Sequence, residues 1–151
     1  MKRLEDGIGF NVSRLARLLK SNWSEALEDL GIAPPHAAIL RTIHEANGDI
    51  GLREVARRLG TDPMNVKRGI DFLEEIGLIA SNLADRGKPR LLSLTSKGVL
   101  TVEEITKRIV GQERLFQECL TRDEIVNFLT ALVKVQDYLH FLEARRGNLE
   151  S

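Results

Sequence analysis

The sequence predicts a mainly α-helical chain with one small β-hairpin, and three stretches predict it. Leu52–Leu59 is a short amphipathic run closed by Gly60, with Leu52, Val55, Ala56 and Leu59 on one face. A second helix opens at Thr61-Asp62-Pro63. Asp62 can cap it with its carboxylate, and Pro63 suits the first helical position, where a missing N–H costs nothing. A hairpin follows from Leu78 to Leu94, turning through the basic tip Asp85-Arg86-Gly87-Lys88-Pro89-Arg90. Two short helices, a tight turn and a basic hairpin in this order form a winged helix-turn-helix unit.

In the second helix Val66, Ile70 and Leu73 repeat at i, i+4 and i+7, which buries that face and leaves Met64, Asn65, Lys67, Arg68 and Asp71 on the other. An amide and two cations near an exposed helix start suit the major groove of double-stranded DNA, where such groups meet base edges and phosphates. Asn65 can pair bidentately with adenine, and Lys67 or Arg68 with guanine or phosphate. Met64 can touch a thymine methyl or fill a gap at the helix start. Gly77 ends the helix, and Leu92 and Leu94 alternate onto one face of the returning strand. Arg86, Lys88 and Arg90 on the wing can reach a phosphate backbone or a narrow minor groove. Arg53 and Arg57, on the first helix of the pair, either hold the DNA backbone or are solvated surface charges.

Flanking helices predict a dimer. Ile8, Val12, Leu15, Leu19, Trp23 and Leu27 recur every three or four residues near the N-terminus. Thr95 caps a long helix, and Thr121-Arg122-Asp123-Glu124 is a capping box that opens the last one. There Ile125, Phe128, Leu129, Leu132, Val135, Tyr138, Leu139 and Leu142 form a broad apolar face, widened by Val126, Val133 and Phe141. Such a face is excessive for packing against one neighbour. The expected organisation is a helical dimerisation region over 1–30 and 96–146, a winged helix-turn-helix lobe over 34–95, and a disordered tail over 147–151. A two-fold dimer places two reading helices ~34 Å apart, facing successive major grooves of a pseudo-palindromic site.

Composition narrows the function classes. The 151 residues support one domain or one subunit of an intertwined dimer. Lys and Arg total 22 and Asp and Glu total 22, so the chain is formally neutral, unlike a general nucleic-acid coat. Between Gly51 and Arg90, eight Lys/Arg face six Asp/Glu, a small local positive excess. This predicts moderate affinity with strong salt dependence. The single cysteine cannot form an intramolecular disulfide, no apolar run follows Met1-Lys2-Arg3, and no stretch approaches the ~20 apolar residues of a membrane span. A cytoplasmic location with no membrane association is expected. His36, His44 and His140 show no metal-ligand spacing, and no nucleophile elbow, P-loop, dinucleotide fingerprint or His-Glu-x-x-His motif occurs. Neither an enzyme nor a cofactor or metal is expected.

Gly31-Ile32-Ala33-Pro34-Pro35-His36, Leu52–Gly60, Asn65–Glu74, Ile76-Gly77-Leu78-Ile79, Asp85-Arg86 and Leu92-Ser93-Leu94-Thr95-Ser96-Lys97-Gly98 together resemble the MarR family of transcriptional regulators, in the family's order and over nearly the whole chain. The resemblance implies a homodimer with interlocked first and last two helices, acting on DNA, usually as a repressor. It also implies a small aromatic or phenolic effector bound between the dimer helices and the reading lobe. Arg14, Trp23 and His36 are chemically suited to line that cleft, although Trp23 also continues the apolar stripe and Arg14 and His36 also suit plain surface positions. Arg68 matches the family's recognition-helix arginine. The wing departs from the pattern: counting from Asp85 puts Gly87 at the groove-entering position, while counting back from the strand puts Lys88 there. Arg86, Lys88 and Arg90 therefore stand together as candidates. A redox branch uses a reactive cysteine near the N-terminal end. Cys119 lies elsewhere and reads as a buried, inert thiol. The alternative function is a winged-helix dimer that binds a protein partner and has weakened DNA contacts.

Overall fold

The structure, a computed structural model, describes residues 3–82 and 90–147. Its elements are α1 (Ile8–Leu27), α2 (Pro34–Glu45), α3 (Leu52–Leu59), α4 (Pro63–Glu75), β1 (Ile79–Ser81), β2 (Leu92–Leu94), α5 (Ser96–Cys119) and α6 (Arg122–Gly147), with short 3-10 turns at Leu4–Asp6 and Glu28–Leu30. This is the expected mainly helical chain with a two-stranded wing. It divides into two compact units, residues 1–109 and 110–151. The first holds α1 and the start of α5 together with the whole helix-turn-helix and the described part of the wing.

Local chemistry sets each boundary. α2 begins with two prolines, whose fixed φ suits a first helical turn. The Ala33 N–H ahead of it donates to Nδ1 of His36 at 3.1 Å. α3 stops at Gly60, in the left-handed region at φ 60°, where a side chain is disfavoured. Asp62 caps α4 by accepting the Met64 N–H at 3.2 Å. Asn47 and Asp49 turn the chain from α2 to α3 with φ of 56° and 54°, values that Asn and Asp tolerate better than other side chains.

The core of the first unit is aliphatic. Leu27, Leu40, Ile43, Val55, Val66, Ile70, Leu73, Leu92 and Ile105 are fully enclosed, drawn from α1 through α5 and from the wing. On α4 the buried residues are Val66, Gly69, Ile70 and Leu73, the predicted stripe plus one glycine. A Cβ on Gly69 would come within 2.5 Å of Ile39 Cδ1 and 3.6 Å of His36 Cδ2. The absent side chain lets α4 lie close on α2, which offsets the cost of glycine inside a helix. The wing pairs Ile79 with Leu94, Ala80 with Ser93 and Ser81 with Leu92. Ile50 adds a bridge on the other side of Leu92, its carbonyl accepting the Leu92 N–H at 2.9 Å.

α5 is fixed to the end of α4 by its first turn. Thr95 caps α5, its Oγ1 accepting the Gly98 N–H at 3.0 Å while donating to the Gly77 carbonyl at 2.7 Å. Lys97 Nζ donates to the Ile76 carbonyl at 3.1 Å, placing a cation where the α4 dipole is negative. Gly98 is buried against Leu78, whose carbonyl oxygen would overlap any Cβ there. Further along α5, Arg108 forks onto the Asp29 carboxylate and also donates to the Ala26 carbonyl at 2.7 Å, tying α5 to the end of α1. The Arg108 guanidinium holds the Asp29 carboxyl below the usual range.

In the second unit Thr121 and Glu124 form the predicted capping box. Glu124 Oε2 accepts the Thr121 N–H at 2.8 Å and Thr121 Oγ1 accepts the Glu124 N–H at 3.3 Å. α6 buries none of its residues in the single chain. Val126, Leu129, Val133, Val135, Tyr138, Leu139 and Phe141 are all more than half exposed. Cys119 corrects the sequence expectation: it is exposed, because the last turn of α5 turns it outward, and its Sγ meets only the Phe116 carbonyl at 3.7 Å. The expected tail over 147–151 lies outside the described residues apart from Gly147, which ends α6.

Candidate nucleic-acid interface

The exposed side of α4 carries what the sequence placed on it. Met64, Asn65, Lys67 and Arg68 are all exposed, opposite the buried Val66, Ile70 and Leu73. Asp62 fixes the first turn, so these side chains leave a helix start whose backbone is already satisfied. Met64 is 57% exposed, so it fills no gap at the helix start. Lys67 pairs with Asp71 one turn on, at 2.6 Å. Arg68 forms no ion pair with a described residue, and neither does Arg53.

Arg57 is exposed and paired within its own helix. Its Nε and Nη2 fork onto the two oxygens of Glu54 at 2.7 and 2.6 Å, and Arg58 Nε reaches the same carboxylate at 2.9 Å. Two guanidinium groups pull the Glu54 carboxyl down to about 2. Its folded value lies below the ordinary 4.5, so the stabilisation is complete above that pH and is lost as pH falls toward 2. Glu54→Gln should therefore lower the melting temperature near neutrality, with the gap to wild type closing between about pH 5 and pH 2. A constant gap across that range would mean the cluster carries no linked proton.

Of the wing candidates, Arg86 and Lys88 lie outside the described residues. Arg90 is described, and both oxygens of Glu74 on α4 accept from its Nη2 at 2.7 Å. Asn82 closes the hairpin beside it, exchanging its N–H with the Leu91 carbonyl at 3.1 Å and accepting the Leu91 N–H on Oδ1 at 2.7 Å. Sequence reading missed this pair because its members lie 16 positions apart on different elements.

The three effector candidates do not converge. Arg14 is exposed on α1, and Trp23 packs against the aliphatic core. His36 is half-buried, with its ring stacked on Phe72 at 4.5 Å between centroids. Burial pushes its imidazole below the usual range, which suits the neutral ring whose Nδ1 accepts from Ala33. An open groove of about 520 Å³ at the α1–α2 junction is lined by Ser24, Glu25, Glu28, Gly31, Ile32, Ala33 and His36. It takes in His36 but neither Arg14 nor Trp23. Among the described residues no group of three His, Cys, Asp or Glu side chains is placed to hold a metal, and no helix is long and apolar enough to cross a membrane.

A capped helix with a polar outer face, laid on two supporting helices and flanked by a two-stranded hairpin, defines a winged helix-turn-helix protein. The protein-family model described as HVO_A0114 matches residues 31–92, the span from the α2 entry to the start of β2. Among solved structures, a MarR-family transcriptional regulator from Rhodococcus sp. RHA1 is 25% identical, covers 89% of this chain and 94% of its own, and superposes with a TM-score of 0.76. MepR of S. aureus, solved with DNA, is 18% identical over 91% of this chain and 99% of its own, with a TM-score of 0.81. BpsR of Bordetella bronchiseptica, whose DNA binding is regulated by 6-hydroxynicotinic acid, is 20% identical over 89% and 98%, with a TM-score of 0.82. The chain has the winged helix-turn-helix fold that these MarR-family regulators share.

Proposed function

We propose that this protein is a sequence-reading transcriptional regulator that binds double-stranded DNA as a homodimer, acting as a repressor at a pseudo-palindromic operator. The outer face of α4 carries the reading: Asn65 and Arg68 project from a capped helix start whose opposite side is locked into the core. Arg86 and Lys88 on the wing and Arg53 on α3 supply backbone contacts, and Arg57 joins them by leaving Glu54 for a phosphate. The dimer rests on α1 and α6. Seven large α6 side chains and the α1 residues Ile8, Val12 and Leu18 are exposed in the single chain, far more apolar surface than a monomer tolerates. The regulators it resembles are not enzymes, and none of the proposed roles requires catalysis.

The effector we propose is a small phenolic or other aromatic molecule held at the α1–α2 groove beside His36, as the BpsR likeness supports. BpsR's effector is an aromatic carboxylic acid, whereas Glu25 and Glu28 line the groove here, so within the aromatic class an uncharged phenol meets less repulsion in this protein. Its binding shifts the population of reading-helix arrangements away from the operator-competent one.

Fluorescence anisotropy with duplexes from upstream of the protein's own gene, titrated across salt, tests the function. Selective binding over random duplex with a steep negative log–log salt slope is expected. A well-folded dimer that binds every duplex weakly and equally would overturn it in favour of a protein-interaction module. The pairing of Lys67, Arg57 and Arg90 with carboxylates is the observation on the side of that second reading.

A further inference from the structure

We infer that Arg90 is a positioning residue that acts through Glu74, orienting the wing on the recognition helix, and is not itself a contact to DNA. The inference rests on the DNA-reading function proposed above. Both Glu74 oxygens accept from Arg90 Nη2 at 2.7 Å, so the guanidinium points back at the protein. Glu74 is the better shielded partner, its side chain 23% exposed against 47% for Arg90. A carboxylate there without its cation would be a partly desolvated charge in the last turn of α4.

Position makes the pair consequential. Arg90 is next to Leu91, whose N–H and C=O both bond Asn82, so the guanidinium sits where the hairpin opens toward its tip. Glu74 lies in the last turn of α4, which Thr95 and Lys97 hold through the Gly77 and Ile76 carbonyls. The ion pair therefore joins the tip-side end of the β1–β2 ladder to a helix end held by those two bonds. No other side-chain bond among the described residues links α4 to the chain between Asn82 and Leu92.

Charge arithmetic separates the inference from a direct phosphate contact. If Arg90 neutralised a phosphate, removing Glu74 would free the cation and remove an anion, tightening DNA binding at every sequence. A strut predicts the reverse. Glu74→Gln and Arg90→Gln should each weaken operator binding by roughly two- to fivefold, the range of one partly exposed ion pair. The exchanged pair, Glu74→Arg with Arg90→Glu, should recover most of that loss.

Amide hydrogen exchange on the free protein gives a second readout independent of DNA. In Glu74→Gln the Asn82 and Leu91 amides should exchange severalfold faster than in wild type, with the β1–β2 amides of Ile79 and Leu94 unchanged as an internal control. Unaltered exchange at Asn82 and Leu91 overturns the inference, and so does operator binding by Glu74→Gln that equals or exceeds wild type. If wild type binds no duplex selectively while the exchange result holds, the proposed function fails and the strut stands.

Discussion

Gly98→Ala is expected to destabilise the protein by about 3 kcal/mol, at the upper end of overpacking penalties. The added methyl would overlap the Leu78 carbonyl oxygen, lie 3.1 Å from the Leu78 carbonyl carbon and 3.4 Å from Leu94 Cβ. Two of these are backbone atoms, so no side-chain rotation relieves the clash. The Leu78 carbonyl also accepts the Thr95 N–H at 3.1 Å and cannot move away without losing that bond. For a chain of this size the melting temperature should fall by roughly 6–12 °C, read by thermal unfolding under circular dichroism. Gly69→Ala is the internal comparison, since there the nearest obstacle is the mobile end of Ile39. Equal melting temperatures for wild type and Gly98→Ala would show that the α5 start is not packed as described.

The largest effect on DNA should come from the recognition-helix pair. Arg68→Ala and Asn65→Ala are each expected to lower operator affinity about 10- to 100-fold, the range of one lost bidentate base contact. Both side chains are exposed and cap no helix, so melting temperature and dimer mass should stay at wild-type values. Loss of a base contact also flattens the preference for one base pair. Loss of a phosphate contact weakens all duplexes alike and reduces the salt slope by about one. Anisotropy on the operator and on single-substituted duplexes distinguishes the two. If a folded Arg68→Ala, Lys88→Ala, Arg90→Ala triple variant binds as tightly as wild type, the DNA surface lies elsewhere.

Local chemistry made most of this fold legible. Asp62, Gly60, Thr95 and the Thr121–Glu124 box act within three or four residues of the helix ends they set, and spacing alone reveals such signals. The buried face of α4 followed from Val66, Ile70 and Leu73 at helical intervals. What spacing did not reveal was pairing between elements. Ile50 joining Leu92, Arg108 reaching Asp29 and Arg90 reaching Glu74 all depend on how separate elements meet, and nothing local marks them. Cys119 was misread for a related reason: small thiols are usually buried, but a helix end exposes whatever residue falls on its outer side. At the proposed interface the residue types on α4 were legible, whereas the partners of Lys67, Arg57 and Arg90 were not.

Under the proposed DNA-reading function, those partners bear on how a chromosome would be searched. Lys67, Arg57 and Arg90 are each already matched to an acid, so a generic stretch of phosphate offers them only an exchange, with a carboxylate left facing a polyanion. Asn65 carries no such debt, and its reward depends on the base it meets. On that reading the arrangement is expected to keep residence on random DNA brief while leaving the correct site nearly undiminished. A neutral chain can thus be selective because Lys67, Arg57 and Arg90 are already matched to acids, and the random-duplex arm of the salt titration reads that directly.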